Sequence, residues 1–404
     1  MSVEIRPPTT PEELRAAMQV TQAAFGETMD DDTWERESVS LPAGRTLAAY
    51  ADGTPVGLAG AYKFELTIPG GQLPCAGVTW VGVLPSHRRR GVLRDFMRRQ
   101  LEDAHGWGEP IAALWASESV IYGRFGYGVA VPTLIMRAAS SRFALRDDVG
   151  PEGVVGLVTA DEAFELFPPL YEQVRARRAG LLSRTEHWWR KHKLADPESW
   201  RRGASQKFYA AVDLDGELAG YALYRVRGDW EEDGMPRGEV LVVEAFATSA
   251  RGERELWRFL FRIDLTTHVK ASYLDPASAL LLNVRDPRAL GLRSTDGLWL
   301  RLVDVDAALR ARSYGDGEPV VVEVADEFCP WNAGRYRLGE GAGRTGDSPD
   351  LALDVADLAS TYLGGFDFHR LVHAGRAREL RGGAAAAASR LVRTDLPPYT
   401  PEEF

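Results

Sequence analysis

The residues Val81-Gly82-Val83-Leu84-Pro85-Ser86-His87-Arg88-Arg89-Arg90-Gly91-Val92-Leu93-Arg94 hold the densest chemistry in the chain. An apolar strand ends, the chain turns through arginines and a glycine, and a helix opens. Val92, Leu93, Phe96, Met97 and Leu101 fall on one face of that helix. The first N–H groups of a helix lack partners and carry the positive end of its dipole. With Arg88, Arg89, Arg90 and Arg94 around them they form an anion site, and Gly91 lets a phosphate approach the backbone. A pyrophosphate suits that charge. The stretch is neither a G-x-x-x-x-G-K-[ST] nucleotide loop nor a G-x-G-x-x-G dinucleotide turn. A solvated basic turn would show the same arginines, so these residues alone leave both readings open.

A resemblance separates them. Arg88-Arg89-Arg90-Gly91-Val92 resembles the R/Q-x-x-G-x-G/A loop with which GCN5-related N-acetyltransferases (GNATs) cradle the pyrophosphate of acetyl-coenzyme A. Leu93 departs from the Gly or Ala of the general pattern. It fits a narrower group: His87–Arg94, with Ala116-Ser117-Glu118-Ser-Val-Ile-Tyr122-Gly-Arg-Phe-Gly-Tyr127-Gly128, closely resembles the actinobacterial enhanced-intracellular-survival (Eis) acetyltransferases. The resemblance covers the whole chain, and Gly297–Val305 looks like the start of that group's sterol-carrier-like domain.

The resemblance implies mixed α/β and α+β architecture: tandem GNAT-like acetyltransferase domains at 1–148 and 149–287, then a sterol-carrier-protein-like domain at 288–404. It implies acetyl-CoA as co-substrate, held by Val81, Gly82, Val83, Arg88 to Arg94, Ser117 and Glu118. Acceptors would be cationic amines: aminoglycosides, polyamines or Lys side chains. It also implies direct transfer in a ternary complex and a homohexamer built as a trimer of dimers.

Acetyl transfer to an amine needs a base for the ammonium proton, a donor for the developing oxyanion and an acid for the leaving thiolate. The resemblance makes Tyr122 the acid, and a phenol of pKa ~10 can protonate a thiolate whose thiol is ~8.5 only modestly uphill. Tyr127 is the rival. By the same resemblance the base is the C-terminal α-carboxylate, here that of Phe404. Phe25, Trp34 and Trp80 offer aromatic faces and Glu403 a charge to a cationic substrate, although ordinary packing would use the same residue types. Glu402, Glu403 and Glu27 are alternative bases.

These groups need elements to hold them. Thr10-Pro11-Glu12-Glu13 reads as a helix start. Strands are predicted at 46–51, 56–65, 78–83 and 111–116, and a helix-prone stretch at 119–125. Ala49–Gly60 is echoed by Ala211–Gly220, and each echo is followed by an apolar strand, an Arg/Gly turn and a helix, which predicts a duplicated α/β unit. In the second copy Arg251-Gly252-Glu253-Arg254 puts a carboxylate where the phosphate would lie, so no coenzyme is expected there. Beyond Asp286-Pro287 come a strand (298–305), a hairpin (319–324 with 335–338), a strand (351–355) and helices at 357–363 and 384–388. The tail from Thr394 to Phe404 contains three prolines and must be extended, able to carry the chain end away from its own domain.

Composition excludes other classes. The chain has 404 residues, 45% of them hydrophobic, which is ample core material for two or three domains. Asp and Glu outnumber Lys and Arg by 58 to 48, a net charge of −10 that argues against nucleic acid and favours cationic partners. Cys75 and Cys329 cannot form a disulfide framework, and the histidines show no H-E-x-x-H spacing, so no metal is expected. The N-terminus lacks a signal-like apolar run and no segment reaches the length of a membrane span, so a cytoplasmic protein is expected. The competing function is an apolar-ligand carrier with a vestigial transferase site, against which the arginine loop and Tyr122 both speak.

Overall fold

The computed structural model describes residues 3–146 and 153–404, so the expected boundary at 148/149 lies outside the described residues. The chain forms two compact units. One comprises Met1–Val131, Gly297–Pro398 and Glu402–Phe404; the other comprises Pro132–Asp296 and Tyr399–Pro401. The first and third expected segments thus fall largely into one unit.

The first unit opens with strand β1 (Val3–Arg6) and helices α1 (Pro11–Phe25) and α2 (Asp31–Ser40). Thr10 caps α1 by accepting the Glu13 N–H, Pro11 stands where no N–H is needed, and Gly26 at φ +74° ends the helix. Strands β2 (Thr46–Ala51), β3 (Thr54–Ile68) and β4 (Gly71–Val83) follow, then α3 (Val92–Gly106) and β5 (Ile111–Trp115). β3 and β4 extend beyond their predicted ends because the Pro69-Gly70 turn, with Gly70 at φ +90°, joins them directly into a long hairpin. The sheet runs β1-β2-β3-β4-β5, and the later strand Arg293–Leu302 pairs with β5 through Leu298–Leu302. Val92, Phe96, Met97 and Leu101 of α3 pack on Ala59, Ala61, Ala76 and Val78 of β3 and β4. The small alanines let the helix approach the sheet closely.

The second unit carries β6 (Gly128–Ala139, from Pro132), β7 (Val154–Val158), α4 (Ala160–Arg175), β8 (Phe208–Leu214), β9 (Glu217–Arg227), β10 (Gly238–Ala247), α5 (Ala250–Phe261) and β11 (Thr266–Leu274). Its strand order is β6-β11-β10-β9-β8-β7. The β8–β9 hairpin, the parallel β10–β11 pair and the intervening α5 repeat the β2–β3 hairpin, the parallel β4–β5 pair and α3. The duplicated α/β unit read from the sequence is present.

The strand Arg293–Leu302 (β12) leads back into the first unit and to a five-stranded sheet. That sheet contains β13 (Val320–Ala325), β14 (Gly334–Leu338), β15 (Gly343–Arg344), β16 (Leu351–Asp354) and β17 (Ala377–Glu379), ordered β15-β14-β13-β16-β17. Helices Val355–Tyr362 and Ala384–Val392 match the two predicted helices. The residues after Thr394 have neither helix nor strand, as three prolines require.

Candidate active site

β4 and β5 pair in parallel from Cys75↔Ile111 to Gly77↔Ala113. Among the described residues their pairing stops there, although β4 continues to Val83 and β5 to Trp115. A bulge lies in the same stretch of β4: Leu58 faces Gly82 while Gly60 faces Thr79, and Trp80 is left at φ +55°. That dihedral costs a tryptophan about 1–3 kcal/mol and is the kind of strain that functional sites retain.

A cleft of about 620 Å³ sits at this opening. Val81, Gly82 and Val83 line it, with Arg88, Arg89, Gly91, Val92, Leu93 and Arg94, and with Ser117, Glu118 and Tyr122. The predicted strand end, arginine turn and tyrosine therefore meet in one place. Arg90 is the exception: it is exposed, donates to the Ser86 carbonyl at 3.1 Å and does not line the cleft. Arg88 is held at the rim by weak bonds to the carbonyls of Val83 and Ala24.

The start of α3 differs from its counterparts. α1, α2, α4 and α5 have side-chain caps from Thr10, Asp30, Thr159 and Ser249. α3 begins at Gly91, φ +89°, with no side-chain cap, so its first N–H groups remain available to a ligand. A Cβ on Gly91 would meet only Asp95, at 3.9 Å; the requirement for glycine is the reversed dihedral, which Arg89 at φ +64° shares. Free N–H groups, a bare glycine and Arg88, Arg89 and Arg94 form a donor set that fits a diphosphate. In the second unit Ser249 occupies the corresponding position by accepting the Gly252 N–H. Glu253 there is half-buried and accepts bonds from Ser278, Ala279 and Trp257, and desolvation raises its carboxyl above the usual range.

Residues 119–125 contain no α-helix. They end in a single 3₁₀ turn, Tyr122–Phe125, closed by Gly126 at φ +82°. A Cβ on Gly126 would come within 2.7 Å of the Arg301 guanidinium, which is fully buried and paired with Asp326 at 2.6 Å. The left-handed dihedral of Gly126 ends the turn there, and the Arg301 contact leaves no room for a side chain at that position. The turn leaves Tyr122 in the cleft wall, 8% exposed. Burial, then the negative charge of Glu118, raises its phenol above the ordinary range, so it stays protonated at neutral pH. Tyr127 packs edge-on against Tyr122 at 6.0 Å, is buried more completely and does not line the cleft.

The predicted substrate residues are dispersed. Phe25 is exposed and lines the same cleft as the arginines. Trp34 lies on α2 beneath the Arg15 guanidinium at 5.6 Å. Trp80 donates from Nε1 to the Tyr62 hydroxyl at 3.1 Å. Glu403 is exposed and Glu402 buried. The Phe404 ring lies 5.1 Å from Phe64 and 6.3 Å from Tyr62, edge-on to both, and against Gly77. The sequence reading missed Tyr62, Phe64 and Gly77. The i, i+2 spacing of the two aromatics on a strand was the available signal.

Among the described residues no group of side chains could hold a metal ion, and no helix is long and apolar enough to cross a membrane. Residues 4–130 match the Acetyltransferase (GNAT) domain family, residues 180–302 match a second Acetyltransferase (GNAT) domain family and residues 305–401 match the Sterol carrier protein domain family. The chain is 44% identical over 367 residues to an uncharacterized N-acetyltransferase of Streptomyces avermitilis, covering 89% of each. It is 36% identical over 372 residues to N-acetyltransferase Eis of Mycobacterium tuberculosis, covering 86% of each. The crystal structure of Eis1 from Mycobacterium abscessus superposes over 100% of both chains with a TM-score of 0.87 and 35% identity. With two tandem GNAT domains followed by a sterol-carrier domain, this chain is an N-acetyltransferase and belongs to the Eis family of GCN5-related N-acetyltransferases.

Proposed function

We propose that the chain acetylates amino groups of polycationic acceptors (aminoglycosides, polyamines or Lys side chains) from acetyl-CoA, by direct transfer while both substrates are bound. The observation that carries this reading is the single cleft in which the uncapped start of α3, the arginines, the open end of β4 and Tyr122 come together. Bound acetyl-CoA supplies a thioester-activated acetyl group. The N–H groups of Val92, Leu93 and Arg94, with Arg88, Arg89 and Arg94 side chains, hold its pyrophosphate. Ser117 and Glu118 border it, and the edge of Val81–Val83 beyond the β4–β5 pairing orients the remainder. Tyr122, kept protonated by burial and by Glu118, gives its proton to the leaving sulfur. The α-carboxylate of Phe404 takes the ammonium proton of the acceptor, directly or through one water. Phe25, Trp34, Trp80 and Glu403 contribute aromatic faces and charge to acceptor binding.

The second unit holds no coenzyme in this reading, because Ser249 already occupies the helix start and Glu253 adds a carboxylate to it. The homohexamer implied by the resemblance is part of this reading, and light scattering tests it. The functional test incubates the protein with acetyl-CoA and a polyamine, an aminoglycoside, a Lys peptide and a monoamine, and weighs the products. A gain of one acetyl mass on the polycations in preference to the monoamine is expected. No acetylated product from any amine overturns the proposal.

A further inference from the structure

Tyr62 and Gly77 are opposite partners in the β3–β4 hairpin and therefore share a face of the sheet. The flanking pair Ala61 and Val78 points to the other face, where α3 packs. The Phe404 ring rests over Gly77, where β4 and β5 part, with Tyr62 and Phe64 as its edge-on neighbours. The Tyr62 ring of this aromatic seat is held through its hydroxyl. The Tyr62 hydroxyl donates to Glu37 Oε2 at 2.7 Å and accepts from Trp80 Nε1 at 3.1 Å. The other Glu37 oxygen accepts from Arg36 Nε at 3.2 Å. Glu37 and Tyr62 are both buried, and burial together with Glu37 pushes the Tyr62 phenol far up, so Tyr62 is the proton donor in this contact. The chain of bonds joins α2, β3 and the strained bulge of β4.

We infer that Trp80, Tyr62 and Glu37 form a positioning device for Phe404: their hydrogen bonds fix the Tyr62 ring, and that ring fixes the C-terminal residue over the opening between β4 and β5. Positioning errors near 1 Å can cost about 100-fold in rate, so a seat allowed to rotate is expected to show in turnover. Burial makes the device exacting, because an unpaired buried donor or acceptor keeps its desolvation cost. This inference rests on the proposal that Phe404 supplies the base.

The test is a set of substitutions read as kcat with a saturating diamine, alongside KM for acetyl-CoA and thermal unfolding. Tyr62→Phe keeps the ring and removes the hydroxyl's bonds to Glu37 and Trp80. Glu37→Leu removes the acceptor, and Glu37→Gln restores an acceptor without the charge. Tyr62→Phe and Glu37→Leu should lower kcat roughly 10- to 100-fold with KM for acetyl-CoA unchanged, and Glu37→Gln should recover most of the loss. The inference is overturned if Tyr62→Phe retains kcat within about twofold, or if Glu37→Gln is as poor as Glu37→Leu.

A double-mutant comparison guards against simple misfolding and separates the two proposals. In an enzyme extended beyond Phe404, Tyr62→Phe should cost nothing further, because its target is already displaced. An equal additional loss in the extended enzyme means that Tyr62 acts elsewhere and overturns the inference. If the extended enzyme turns over normally, the base assignment itself fails, whatever Tyr62→Phe does.

Discussion

Gly77 and Phe404 are in contact through the one face of β4 that has no side chain to spare: a Cβ at position 77 would stand 3.2 Å from Phe404 Cε2 and 2.5 Å from two ring carbons of Phe64. Gly77→Ala must therefore displace one or both rings. Overpacking of this kind costs about 1–3 kcal/mol. Gly77→Ala should lower the unfolding midpoint modestly and turnover more severely, with acetyl-CoA affinity retained. Thermal unfolding, calorimetric titration and kcat on the same preparation check this; unchanged kcat in a destabilised protein would remove Phe404 from the chemistry.

The arginine turn predicts a single coenzyme site. Arg89→Glu reverses charge in the cleft and should abolish acetyl-CoA binding by calorimetry. Arg251, in the second unit, donates to Asp215 at 2.9 Å, and Arg251→Ala should leave affinity nearly unchanged. Equal losses would mean that both units bind the coenzyme.

Tyr122 as acid makes a prediction with a sign. Its pKa is raised, chiefly by burial, so the protonated form persists through neutral pH and is lost only above the ordinary phenol value of ~10. No alkaline decline in kcat attributable to this group should appear below that value. Tyr122→Phe should lower kcat far more than it raises KM for acetyl-CoA. If Tyr127→Phe does so instead, the acid is the other tyrosine.

Much of this site was legible in the sequence, for identifiable reasons. The arginine turn and its flanking strand and helix are contiguous, so local rules located them, and Thr46–Ala51 and Ile111–Trp115 stand within a residue of their expected limits. The stretch before Phe125 reads as helix-prone by local rules, whereas the chain forms only a 3₁₀ turn, Tyr122–Phe125, closed by Gly126. The seat of Phe404 was invisible to local rules. It depends on the pairing of Tyr62 with Gly77 and on a charged residue of α2, Glu37, whose burial contradicts its type.

Lys207 gives a pH test of the second unit. It is buried, donates from Nζ to the carbonyls of Lys193 and Ala195, and burial with the nearby Arg225 and Lys193 lowers its pKa to about 7, against weaker opposing effects of Asp196 and Glu244. An unfolded lysine titrates near ~10.4. Between those values the unfolded chain holds a proton that the folded chain lacks, so stability rises with pH across that window. Denaturant unfolding of the native protein and of Lys207→Met should differ by an amount that is flat below about pH 6 and moves in favour of the native protein from pH 7 to 10. A difference that stays constant across that range contradicts the burial argument.

The central claim, that the carboxylate of Phe404 is the base of an acetyl transfer conducted in the cleft of the first unit, is tested most directly by kcat with a saturating diamine for the native protein and for one carrying a few residues appended after Phe404. The extension replaces the carboxylate at that position with a neutral amide, and loss of a general base is worth roughly 10²–10⁴-fold. The account predicts a fall of that size, with acetyl-CoA binding and folding intact. Full turnover by the extended protein would contradict it and would move the search to Glu402, Glu403 or Glu27.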